Sequence, residues 1–119
     1  MGLDLYIRKK RKGEAYESSS WEDMAYTRNG WAVREIILDS ISTYDQETYT
    51  AKLTIGTLNE IVVNLAEALK EYNFNDYIDS SDYYKIANFL GELATSLASD
   101  VVEREEDDIL YEYQLVDSY

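Results

Sequence analysis

The chain predicts an α+β fold: a small antiparallel or mixed sheet of three to four strands, with about three helices packed on one face. Three observations carry this. Apolar and polar residues alternate with a period of two near both ends of the chain, a third alternating run lies near the middle, and the segments between them repeat their apolar residues at helical spacing. Terminal strands are frequent neighbours in folds of this kind.

Leu3, Leu5 and Ile7 alternate with Asp4, Tyr6 and Arg8, the pattern of a half-buried strand. Arg11 to Gly13 then turns the chain, and Glu14 to Glu17 is expected to return as a short strand. Ser18 to Ser20 loosen the backbone, and Trp21, Met24 and Tyr26 are expected in a turn. From Trp31 to Ile41 the residues Val33, Ile36, Ile37, Leu38 and Ile41 fit a helix with Asn29 as its N-cap. Tyr49, Ala51, Leu53 and Ile55 alternate with Thr50, Lys52 and Thr54 as a strand, which Gly56 breaks.

Thr57 and Glu60 have the form of a capping box, followed at helical spacing by Leu58, Ile61, Val62, Leu65, Leu69 and Tyr72. Asn73 to Asp79 reads as a loop. Ser80 or Ser81 then caps a long helix whose buried stripe is Tyr83, Ile86, Leu90, Leu93, Leu97 and Val101. Ile109, Tyr111, Tyr113 and Leu115 alternate with Leu110, Glu112, Gln114 and Val116 as a closing strand.

A length of 119 residues, 45% of them hydrophobic, is suited to one acidic α+β domain spanning residues 1–119. The chain has no cysteine, so no disulfide framework and no thiolate chemistry. Its apolar runs are too short to span a bilayer, and the N-terminus lacks the order of a secretory signal, so a soluble protein is expected. With no histidine either, Ser-His-Asp, Cys-His and Cys/His zinc arrangements are excluded. The five glycines never cluster into a phosphate loop. Carboxylates are too numerous for sequence proximity to mark a catalytic pair, so no enzyme, cofactor or metal is expected. Asp76, Asp79 and Asp82 lack the spacing and glycine of a calcium loop.

Charge is the most directive property. Twenty-four acids face eleven bases, and five of those bases are Arg8, Lys9, Lys10, Arg11 and Lys12. Beyond Lys12 there remain 23 acids and 6 bases, a net charge of -17. Such a field repels nucleic acid and membranes and attracts basic grooves built to hold a phosphate backbone. Within it, the basic run reads as a hairpin tip or a strand edge guarded by charge.

Glu103, Glu105, Glu106, Asp107 and Asp108 cluster where the macrodipole of the long helix disfavours negative charge. Glu60, Glu67, Glu71, Asp79, Asp82, Glu92 and Asp100 occupy the polar sides of helices. Carboxylates three or four apart on a helix stand roughly 5–6 Å from one another, a spacing of the order of successive phosphates on one strand. Twelve tyrosines supply contact area at low entropic cost, and Tyr77 and Tyr84 are the expected interface anchors. The expected partner-binding residues are therefore Asp76, Tyr77, Asp79, Asp82, Tyr84, Glu103, Glu105, Glu106, Asp107 and Asp108.

The opening Met1-Gly2-Leu3-Asp4-Leu5-Tyr6-Ile7 resembles that of a family of small phage and prophage proteins beginning Met-Gly-Leu-Asp-Met-Tyr-Leu. Glu22-Asp23-Met24-Ala25-Tyr26, with Arg28, Asn29 and Trp31 after it, is similar to the Glu-x-Ala-Tyr-Trp-Arg-Lys-x-Asn segment of that family. Thr27 stands where the family has tryptophan, and Asn29 where lysine is usual. The resemblance covers the first third of the chain and implies a phage or mobile-element setting in the cytoplasm of a bacterial host.

Together with the charge, this setting leads to the expectation of a non-enzymatic counter-defence inhibitor of the anti-CRISPR kind. As a monomer or homodimer, it would bind the basic nucleic-acid channel of a host effector such as Cas9 by acidic mimicry, without contacting nucleic acid or membrane. A phage regulatory or assembly adaptor is the alternative, and a carboxylate-dependent enzyme the third reading.

Overall fold

The alternating segments at the two ends of the chain form the middle of one antiparallel sheet. In the computed structural model, β1 (Asp4–Arg11) pairs with β5 (Tyr111–Ser118) from Asp4 opposite Ser118 to Arg11 opposite Tyr111. β2 (Glu22–Arg28) flanks β1, β4 (Thr50–Leu53) flanks β5, and the two-residue β3 (Tyr44–Asp45) closes the far edge, giving the order β2-β1-β5-β4-β3. The helices are α1 (Trp31–Ser40), α2 (Ile55–Glu71) and α3 (Ser80–Asp107). The structure describes residues 2–11, 21–71, 80–107 and 111–118, and of residues 11, 80 and 100–107 the backbone alone. The α+β class and the three helices follow the sequence, but five strands are described where three to four were expected, and the strand order, with the terminal strands adjacent, is the structure's own.

Strand alternation sends Leu5, Ile7, Ala51, Leu53, Tyr113 and Leu115 to one face, where they join Val33 and Ile37 of α1, Leu58, Ile61 and Leu65 of α2, and Ile86, Phe89, Leu93 and Leu97 of α3 in one hydrophobic cluster. Each fully buried aliphatic or aromatic side chain there contributes about 1.5–3 kcal/mol. Phe89, missing from the predicted stripe, is fully buried, whereas Tyr83 is half-buried.

Among the described residues, no helix covers the other face of the sheet. Across it, Thr50, Val116, Tyr6 and Tyr26 form one row, and Lys52, Gln114, Arg8 and Asp23 the next. Tyr26 donates a 2.7 Å hydrogen bond to Asp4, and Arg8 one of 2.8 Å to Gln114.

Several local expectations are corrected. Trp21, Met24 and Tyr26 do not make a turn: Met24 and Tyr26 lie in β2, and Trp21 immediately precedes it. The pairing with β1 slips between Ile7 and Arg8, so Met24 and Ala25 are both buried and the two-residue alternation is hidden. The first half of the basic run is not an edge, since Arg8 and Lys9 pair with both β2 and β5; Lys10 and Arg11 continue β1 beside β5, and Lys12 lies outside the described residues. Arg8 and Lys10 are accommodated on the open face beside the Trp21 ring, 4.6 and 5.5 Å from its centroid, and Lys9 Nζ lies 4.7 Å from that of Tyr111 on the covered side.

Asn29 is not the N-cap of α1; Gly30 is. Asn29 takes left-handed φ of 55° and clasps Leu3, donating its N–H to the Leu3 carbonyl at 2.6 Å and accepting the Leu3 N–H on its side chain at 2.9 Å. Gly56 lies in the first turn of α2 rather than ending a strand, and the cap is Thr54, whose hydroxyl accepts the Thr57 N–H at 3.1 Å. The predicted Glu14 to Glu17 strand, the Asn73 to Asp79 loop and Tyr72 lie outside the described residues.

Candidate acidic docking face

Charge divides by element. By sequence the three helices carry twelve acids against four bases (Arg34, Lys70, Lys85, Arg104), whereas the five strands carry six of each. The strands place charges of opposite sign in register, as at Asp4–Arg28, Arg8–Asp23 and Lys10–Glu112, so the sheet balances its own charge. Helix periodicity does the reverse.

On α1, Trp31, Glu35 and Asp39 follow one another at four-residue intervals and are all exposed, so they form a stripe down one side. On α2, Glu60, Glu67 and Glu71 are exposed and fall within one face at intervals of seven and four. The two helices are tied together where the Asn64 amide donates to Ser40 Oγ at 2.7 Å. Beside that bond Asp39 and Glu60 line one open groove, together with Val63, whose side chain is 53% exposed. Carboxylates from two helices thus share one outer surface.

The partner-binding residues expected from sequence are distributed differently. Glu103, Glu105, Glu106 and Asp107 occupy the last two turns of α3, inside the helix, with their side chains outside the description. Asp76, Tyr77, Asp79 and Asp108 lie outside the described residues. Asp82 is half-buried in the first turn of α3. Tyr84 is 62% exposed, with its ring centroid 6.0 Å from that of Tyr83. Lys85 donates to the Asn29 carbonyl at 3.2 Å, which sets this turn of α3 beside the start of α1. Glu35 and Asp39 were passed over in the sequence because each stands apart from the other acids; the four-residue spacing from Trp31 was the available signal.

Behind the start of α1 lies a buried polar cluster that the sequence did not reveal. Asp117 of β5 is fully buried. Its Oδ2 accepts hydrogen bonds from Arg34 Nε at 2.7 Å and from the Tyr44 hydroxyl at 2.9 Å, while its N–H donates to the Tyr49 carbonyl at 2.9 Å. Its Oδ1 has no hydrogen-bond partner among the described residues. Burial, followed by the hydrogen bond to Asp117, raises the pKa of Tyr44 above the ordinary tyrosine value. The hydrogen bond to Asp4 is the main cause of a similar rise at Tyr26.

A cleft of about 730 Å3 opens where β4 ends, lined by Trp21, Lys52, the first turn of α2 and Tyr111 to Gln114. Among the described residues no helix is long and apolar enough to cross a membrane. Comparison with known protein families, curated proteins and solved structures finds no match for this chain.

Proposed function

We propose that the protein is a non-enzymatic, phage-encoded counter-defence inhibitor of the anti-CRISPR kind, which places its acidic helical layer in the basic nucleic-acid channel of a host effector, with Cas9 as a candidate target. The observation that carries this reading is the convergence of Asp39 and Glu60 from two helices on one groove, with Glu35, Glu67 and Glu71 extending the same surface. Carboxylates roughly one helical turn apart offer a basic groove a charge spacing close to that of a phosphate backbone. The phage setting and the host cytoplasm rest on the resemblance of the opening seven residues. The acids from Glu103 to Asp108 and from Asp76 to Asp82 remain part of the proposed contact surface.

The test is capture of the effector by the tagged chain, followed by competition with duplex DNA and by titration with salt. Mimicry predicts displacement by DNA and an affinity that falls by at least about tenfold between about 50 and 200 mM salt, with both effects weakened when Glu35, Asp39, Glu60 and Glu67 are neutralised. Capture indifferent to DNA, salt and neutralisation would instead support the adaptor reading. That alternative draws on the open sheet face, where Tyr6 and Tyr26 stand with ring centroids 6.2 Å apart beside Val116. Under it, Tyr26→Ala and not the loss of carboxylates abolishes capture.

A further inference from the structure

The α1 stripe begins with an aromatic side chain, and its surroundings identify what that side chain receives. Trp31 is 49% exposed and Tyr49 is 48% exposed, two of the five large hydrophobic residues left in water among the described residues. Both are linked to the same buried carboxylate. Asp117 holds Arg34 at 2.7 Å, the Arg34 guanidinium carbon stands 5.9 Å from the Trp31 ring centroid, and the Asp117 N–H fixes the Tyr49 carbonyl. Tyr49 keeps a left-handed φ of 57°, a strained conformation for a bulky residue, and its own N–H is bound to the Asp45 carbonyl at 2.9 Å. The patch is therefore held in place before any partner arrives, which lowers the entropy lost on binding.

Its charge is negative on the outside. Arg34 is paired inward with Asp117, while Glu35 and Asp39 continue the stripe below Trp31, and Asp45 and Glu47 are exposed on the turn that leads to Tyr49. An indole face bordered by carboxylates attracts a cation and repels a phosphate or a carboxylate. We propose that Trp31, backed by Arg34, is the anchor that receives a lysine or arginine side chain from a basic protein partner, while Glu35 and Asp39 engage the cations that flank it. This rests on the reading of the helical layer given above and names the contact that gives it short-range affinity in addition to long-range attraction.

Trp21→Phe leaves Trp31 as the one tryptophan of the chain, so its emission reports on the patch. The probe is a labelled decaarginine peptide, titrated at about 50 and about 300 mM salt, the second chosen to screen the carboxylates. The expected result is a saturable change in Trp31 emission. In the otherwise native chain, Trp31→Ala should weaken peptide binding about threefold to fivefold at the higher salt, while Asn88→Ala, at an exposed position of α3, leaves binding unchanged. Salt-dependent binding with unaltered emission and a neutral Trp31→Ala would overturn the anchor and leave the acidic face standing. No binding at either salt would overturn both. A concentration-dependent dimer in sedimentation that shields Trp31 would make a second copy of the chain the occupant and would also overturn the proposal.

Discussion

Asp117 shows how a single buried side chain can be decisive in a molecule whose other described charges, Lys9 apart, are half-buried or exposed. A buried ion pair adds little net stability, but breaking one leaves its survivor without compensation, typically at about 3–5 kcal/mol. The two survivors here differ: Arg34 retains 22% side-chain exposure and Asp117 none. Arg34→Met strands a fully buried carboxylate, so it should cost about 3–5 kcal/mol in urea unfolding. Asp117→Asn keeps an oxygen for both Arg34 and Tyr44 and should cost clearly less; the reverse order would show that the pair does not hold β5 in the way described. The same cluster sets an alkaline limit. Because the Tyr44 pKa is raised on folding, the folded state holds its proton more tightly than the unfolded chain. That contribution is complete below the ordinary tyrosine pKa and is lost as pH rises through the folded value. Melting points between about pH 8 and pH 11 should fall, and Tyr44→Phe should fall less steeply than the native chain.

At the level of elements, α1 and α2 begin at caps that differ from those the sequence suggested, and each can be tested. Thr54→Ala should cost about 1 kcal/mol, whereas Thr57→Ala, which removes the hydroxyl that the sequence pattern favours, should cost a few tenths. Gly30 serves close approach as well as capping. A Cβ on it would lie 2.4 Å from Thr27 Cγ2, inside the buried junction of β2 and α1, so Gly30→Ala should cost about 1–3 kcal/mol and be partly rescued by Thr27→Ala. These junctions also show where the sequence was legible. Leu58, Ile61 and Leu65, and Ile86, Leu93 and Leu97, keep helical spacing without interruption, and β5 keeps its alternation at Tyr113 and Leu115, so those elements were visible in the pattern. β2 was not, because the slip beside Ile7 buries Met24 and Ala25 together. The length of β1 was also hidden, since its charged half depends on Trp21, a long-range contact that periodicity does not encode. Likewise, the site was legible on α2 as carboxylates on a polar face, but not at Trp31, Tyr49 and Asp117, whose association depends on strand register.

For the whole molecule, the division between a charge-balanced sheet and acidic helices implies that the proposed binding face opposes the stability of the fold that carries it. Glu35 with Asp39 and Glu67 with Glu71 are like-charged pairs four residues apart, each destabilising by about 0.2–0.5 kcal/mol. The remaining acids of the helical layer add a repulsion that falls off over about 30 Å at 0.01 M salt and about 8 Å at 0.15 M. Salt should therefore raise the melting point of the native chain over this range, the reverse of what a fold held by surface ion pairs would do. A variant carrying Glu35→Gln, Asp39→Asn, Glu60→Gln and Glu67→Gln removes one member or both of each pair and should be the more stable protein at low salt. A relief of about 1 kcal/mol corresponds to roughly 4 °C in a chain of this size. The difference should shrink toward zero near 1 M salt, where screening reaches about 3 Å. In the same variant, the proposed effector binding should weaken, so that stability and binding move in opposite directions on one set of side chains. Differential scanning calorimetry at the two ends of the salt range decides this: a neutralised variant that melts no higher than the native chain at 0.01 M would mean that the carboxylates are far enough apart for water to shield them, and would remove the close spacing on which phosphate mimicry depends.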